Sequence, residues 1–264
     1  KGGLNDVVMN NSPIDIDKLI EGTNEILTAN RNSLQLFDML HSMRQFDDLT
    51  YVHSVNVALI ASILGQWLKF SEKDIRILTI SGLLHDIGKI MIPNEILTKP
   101  GKLTVAEYNI MKQHVNFGYE KVKNQNIDIR IKEACLLHHE KCDGTGYPFG
   151  LKSDHIPAVA KIIAIADVYD AMTSARVYRG ALCPFEVIDT MYKDAFTKFE
   201  PEYILPFLKN VASSYINNDV RLSDGRIGKV VLINENALSL PIVQCEDEFI
   251  DLSKTRGLTV SAIL

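Results

Sequence analysis

Apolar residues return every three or four positions along most of this chain, and that period constrains its fold more than any other feature. Between Asp15 and Phe46 they are Ile16, Leu19, Ile20, Ile26, Leu27, Leu34, Phe37, Leu40 and Met43, a spacing that lays one apolar stripe along a helix. The run TYVHSVNVALIASILGQWLKF (50–70) keeps the period. Ser71 and Asp74 have the spacing of a capping box opening a helix that reaches His85, and Thr104 with Glu107 repeats it. Further helical patterns cover 104–123, 128–140, 156–175, 184–197 and 201–216. The texture then changes. In SDGRIGKVVLINENALSLPIVQCEDEFIDL, β-branched runs at Ile227–Ile233 and Ile242–Val243 alternate with Asp-Gly and Asn-rich turns. The expected fold is mostly α, a helical bundle with a small C-terminal β appendage.

Three segments follow. Residues 1–46 form an N-terminal helical segment, either continuous with the core or a linker helix that pairs in a homodimer; 47–218 form the main domain; 219–264 form the β appendage. At 264 residues and 46% hydrophobic content the chain can bury a sizeable core. Its 28 Lys+Arg against 33 Asp+Glu give a net charge of -5, which excludes a protein that coats DNA or RNA through counterion release. An anionic ligand has to be caught locally.

Apolar runs such as AVAKIIAIADVY (158–169) fall short of a membrane span. The start, KGGLNDVVMNNS, has no basic stretch followed by an apolar one and so does not read as a secretory signal. It also lacks an initiator Met, so an upstream sensory or receiver domain is expected. Cys135, Cys142, Cys183 and Cys245 are widely spaced with no CxxC, the pattern of reduced thiols in a cytoplasmic protein.

The chemistry lies in the histidines and their neighbours. His85-Asp86 closes the apolar run ISGLLHDIGK, with Lys89 four residues after the histidine and three after the aspartate, on the same side of a continuing helix. A cation beside a metal pair suits a phosphate. His53 lies on the preceding helix, His114 in YNIMKQHVNFG, His138-His139 form a double imidazole, and Asp167 sits inside KIIAIADVYDAMTS. A carboxylate in so apolar a stretch is costly unless paired or bound to metal. Singly, each histidine reads as an ordinary core residue. Together, five histidines and two aspartates offer ligands for two metal ions, and a nitrogen and oxygen set without thiolate suits Mn, Fe or similar ions. Two such ions can clamp a phosphoryl group for in-line attack, so the site reads as a phosphohydrolase.

HDIGK (85–89) with HHEKCDGTGYP (138–148) resembles the HD-GYP family of the HD phosphohydrolase superfamily. The likeness runs from His53 to Arg179 and includes IPNEILTKPGKLT and IADVYDAMTSARVYR. It implies an HD-type helical bundle over 47–218 and hydrolysis of the bacterial second messenger cyclic di-GMP to pGpG, with GMP as a further product. Carried over by position, it implies His53, His85, His114, His138, His139 and Asp167 as metal ligands, and Asp86 as the bridging carboxylate. Lys89 is placed near the scissile phosphate, as electrostatic stabiliser or proton donor. Arg176 and Arg179 match the basic residues that hold the dinucleotide, and Gly146 and Tyr147 match the loop lining its pocket. Tyr147 either stacks on guanine or ribose or merely closes the loop.

Members with three metals have a glutamate four residues before the first histidine. Here that residue is Leu49, with Asp47 and Asp48 off by one or two positions, so two ions are expected. Glu140 and Asp143 are expected to hydrogen-bond the ligand histidines, with direct ligation of metal as the alternative. Two alternatives stay open: hydrolysis of another cyclic dinucleotide, and a non-catalytic cyclic di-GMP-binding signalling module.

Overall fold

The computed structural model describes residues 13–15, 17, 19–21, 23, 25, 49–174 and 181–264. Helix α1 (Leu49–Trp67) is apolar almost all round, and Val57, Ala58, Leu59, Ile60, Ala61 and Leu64 have no solvent exposure. Such a helix has to lie at the centre of a bundle. It closes through Lys69, whose φ of 58° turns the chain back. Ser71 then caps α2 (Glu72–Leu84) by accepting the Asp74 amide. The two helices cross closely because position 82 is glycine: a Cβ there would lie 2.4 Å from Ala58 Cα.

A 3₁₀ turn (Ile87–Met91), α3 (Asn94–Leu97), α4 (Val105–Met111), α5 (His114–Val122) and α6 (Ile129–Leu137) follow. Helices α7 (Ala158–Thr173), α8 (Pro184–Asp194) and α9 (Pro201–Ser214) complete the described bundle. The single helix expected over 104–123 is two, α4 and α5, parted at Lys112-Gln113. The local reason is His114, whose Nδ1 donates to the Met111 carbonyl at 2.8 Å. Gly88 presses on the same place, since a Cβ there would stand 2.0 Å from the His114 carbonyl oxygen. The break turns His114 inward at the start of α5.

Beyond α9 an antiparallel sheet forms from β1 (Asp219–Leu222), β2 (Ile227–Leu232), β3 (Ile242–Cys245), β4 (Glu248–Asp251) and β5 (Val260–Ile263), in the order β4-β3-β2-β1-β5. Alternation aims Val220 and Leu222 of β1 inward. With Val230, Val243, Ile250 and Val260 they join one apolar cluster with Ile188, Phe207, Leu208 and Val211 of the helices. The fold is thus mostly α with a small C-terminal sheet, as expected.

In the N-terminal segment, Ile20 and Thr23 are buried, and Asp17 pairs with Arg76 at 2.6 Å. The described part of 1–46 therefore packs on the chain's own helices. The pairing stripe was expected over 15–46, and most of it, including all of 26–46, lies outside the described residues. Among the described residues no helix is long and apolar enough to cross a membrane, and all four cysteines are free.

Candidate metal centre

Six elements deliver one cluster. His53 comes from the middle of α1, His85 and Asp86 from the end of α2, His114 from the start of α5, His138 from the end of α6, His139 from the loop beyond it and Asp167 from the buried face of α7. Three imidazoles are clamped by their own backbone. His85 Nδ1 meets the Gly82 carbonyl at 2.8 Å, His114 Nδ1 that of Met111 at 2.8 Å and His138 Nδ1 that of Ala134 at 2.9 Å. A carbonyl only accepts, so each Nδ1 carries the proton and each Nε2 presents a lone pair.

Those lone pairs converge on Asp86. Its Oδ1 lies 3.3 Å from His114 Nε2 and 3.9 Å from His138 Nε2, while Oδ2 lies 3.2 Å from His85 Nε2 and 3.6 Å from His53 Nε2. Two ligand groups result, Asp86 with His114, His138 and His139, and Asp86 with His53 and His85. Asp167 spans both, 3.1 Å from His53 Nε2 and 3.8 Å from His139 Nδ1. His85 Nε2 and Asp86 Oδ1 are buried without a hydrogen-bond partner. Buried polar atoms left this way are costly unless something binds them.

The electrostatics match. Burial would raise Asp86 and Asp167, but His85, Lys89 and His114 hold the first, and His53 the second, well below the usual carboxylate range. Burial pushes His114 and His138 down, and His139 to about 3, so these imidazoles are neutral. Neutral imidazoles and ionised carboxylates are the forms that ligate metal. His53 differs: burial opposes its charge, yet Asp167 and Asp170 outweigh that and lift it to about 9.

The HD domain family matches residues 20–203. The chain belongs to this family. A cyclic di-GMP phosphodiesterase of Pseudomonas aeruginosa is 36% identical over 203 residues, 76% of this chain and 49% of that protein. The 3'3'-cGAMP-specific phosphodiesterase 1 of Vibrio cholerae is also 36% identical, over 173 residues, 64% of this chain and 38% of that protein. The chain spans about half or less of the length of these curated relatives. In fold it resembles an HDG"Y"P protein from Bdellovibrio bacteriovorus, with a TM-score of 0.57 at 19% identity over 73% of this chain and 63% of the other. Family and cluster together mark the HD domain as a divalent-metal binder.

Around the cluster of this HD domain, Lys89 Nζ sits 2.5 Å from Asp86 Oδ2, carried there by the 3₁₀ turn rather than by a continuing helix. Asp170, a residue outside the HDIGK and HHEKCDGTGYP motifs, lies one helical turn after Asp167. It accepts from His53 Nδ1 at 2.7 Å and from Asn56 Nδ2 at 2.9 Å, fixing His53 as the other imidazoles are fixed. Its signal was a second carboxylate on the same face of an apolar helix.

Glu140 and Asp143 do not bond the ligand histidines as expected. Buried Glu140 instead accepts the amides of Phe149 and Gly150 on Oε1 at 2.7 and 3.1 Å and that of Leu151 on Oε2 at 2.9 Å, so both of its oxygens are taken up by the loop. Asp143 closes its own turn on Thr145. Gly146 lets the loop fold back, since a Cβ there would lie 2.5 Å from Glu140 Cα. The return lays Tyr147 over His139, ring centres 4.7 Å apart and 30° inclined. Burial raises the Tyr147 phenol, which stays protonated. Arg176, Arg179, Asp47 and Asp48 lie outside the described residues. Exposed His155 pairs with Asp154 and is an ordinary surface residue.

Proposed function

We propose that this chain hydrolyses the phosphodiester bonds of cyclic di-GMP in the bacterial cytoplasm, using two divalent ions, iron or manganese. The observation that carries the reading is Asp86, whose two oxygens face two separate groups of imidazole nitrogens while its Oδ1 lacks a hydrogen-bond partner. His53, His85, Asp86 and Asp167 would hold one ion, and Asp86, His114, His138 and His139 the other. The residues fit, because nitrogen and oxygen donors without thiolate suit these ions. Bound there, the ions would supply Lewis acidity toward the phosphoryl oxygens and an acidified water.

The chain's own residues do the rest. Lys89, held against Asp86, places positive charge where the phosphoryl group gains negative charge. Asp170 keeps His53 in one ring orientation. Tyr147 walls the site over His139, and Arg176 and Arg179 bind the dinucleotide, as the family resemblance implies. In the overall reaction water oxygen joins phosphorus, the bond to the 3′ oxygen breaks, and a proton passes to that oxygen, giving pGpG.

A second reading is favoured by the Vibrio cholerae relative, named for 3'3'-cGAMP at the same 36% identity. The test is incubation of manganese- or iron-loaded protein, under reducing and anaerobic conditions, with each dinucleotide, followed by separation of products. Conversion of cyclic di-GMP to pGpG is expected. Faster turnover of 3'3'-cGAMP would move the substrate, and binding of cyclic di-GMP without turnover would make the chain a sensor.

A further inference from the structure

We propose that Lys112, seated on Tyr108 and Tyr147, binds the phosphate of the cyclic dinucleotide that is not being cleaved. The inference rests on the reading of the site as a cyclic dinucleotide phosphodiesterase. Such a substrate carries two phosphodiester anions in one ring. With one at the imidazole cluster beside Lys89, the other lies away from that lysine, and in a chain of net charge -5 it is met by local cations, Lys112 in addition to the Arg176 and Arg179 that the family resemblance implies.

Lys112 is placed to do this. It occupies the break between α4 and α5, two residues before His114. Its Nζ stands 5.3 Å from the centre of the Tyr108 ring and 6.0 Å from that of Tyr147. Tyr147 in turn covers His139 at 4.7 Å, so the cation and the ligand cluster are joined through one ring. The two tyrosines meet edge to face at 6.5 Å, which fixes the seat. Ring faces attract the ammonium but take none of its three donors.

The contrast with other lysines sharpens the case. Lys89 pairs with Asp86, Lys99 with Glu107 at 2.6 Å and Lys161 with Glu200 at 2.6 Å. Half-buried Lys112 has no carboxylate partner among the described residues. Nor does packing explain it. Helix α4 has no buried residue, and Tyr108 is 48% exposed. The i, i+4 spacing of Tyr108 and Lys112 puts both on one helix face, toward Tyr147.

The experiment compares cyclic di-GMP with bis(p-nitrophenyl) phosphate, a diester with a single anion, on metal-loaded full chain. In Lys112→Met the ratio of kcat/KM for cyclic di-GMP to that for the small diester is expected to fall about tenfold, mainly through KM. Lys112→Arg should recover most of the ratio. An unchanged ratio in Lys112→Met, an equal loss on both substrates, or loss of bound metal from Lys112→Met would overturn the assignment. Wild-type protein that hydrolyses neither substrate would overturn the phosphodiesterase reading, and this inference with it.

Discussion

The inner and outer halves of the metal centre are held by different means. In the inner half His85, His114 and His138 are buried at helix ends, and each ring is fixed by a carbonyl three or four residues earlier in the chain. In the outer half His139 and Tyr147 ride on a loop, and what fixes the loop is a carboxylate, Glu140, taking three amides nine to eleven residues later. Helical geometry therefore sets the inner ligands, whereas the outer wall depends on one charged side chain and the absence of a Cβ at Gly146. Damage to the inner half should cost metal and turnover together. Damage to the outer half should cost the loop's shape first.

The largest expected effect is in the inner half. Asp86→Ala removes the carboxylate shared by both ligand groups, so bound metal should be lost and turnover should fall by roughly 10³-fold or more, the scale of strong electrostatic stabilisation in an active site. Retained metal and turnover would refute its assigned role. In the outer half, Glu140→Ala leaves three loop amides without an acceptor and should destabilise the chain by about 3 kcal/mol. Denaturant titration measures this. A loss of metal as severe as that of Asp86→Ala would erase the distinction between the halves.

How much of this was legible in the sequence follows the same division. HDIGK and HHEKCDGTGYP are contiguous, so the ligands they contain could be read directly, and Asp167 stood out as a carboxylate in an apolar helix. Asp170 was harder to see because its partner His53 lies 117 residues away, and only the packing of α7 on α1 brings them together. Glu140 was misassigned because proximity to His139 in sequence suggested a partner that the loop's return supplies instead. The break at Lys112-Gln113 was hidden because apolar period continues through it; close contact with Gly88, 24 residues earlier than Lys112, decides the turn.

Two smaller effects refine the comparison. Asp170→Asn keeps the shape but removes the charge that orients His53, and should weaken metal binding roughly 10–100-fold; competition with a chelator reads this directly. Wild-type affinity in that variant would show that α1 alone fixes the ring. Smallest is the cap of α4. Lys99, with the Thr104 amide and hydroxyl, holds the Glu107 carboxyl down to about 2. Because the folded value is depressed, the contribution is present above the ordinary carboxylate range and fades as pH falls toward 2. The difference in thermal midpoint between wild type and Glu107→Gln should therefore shrink between pH 5 and pH 2. A constant difference would remove charge from the account of that cap.

The central claim is that one carboxylate, Asp86, divides the imidazoles into two ligand groups and that Leu49 supplies no third. Metal content per chain, measured on an active anaerobic preparation alongside cyclic di-GMP turnover, tests it most directly. Two tightly bound ions per chain are expected, lost together with activity on chelation. Three tightly bound ions, or full activity with none, would contradict it.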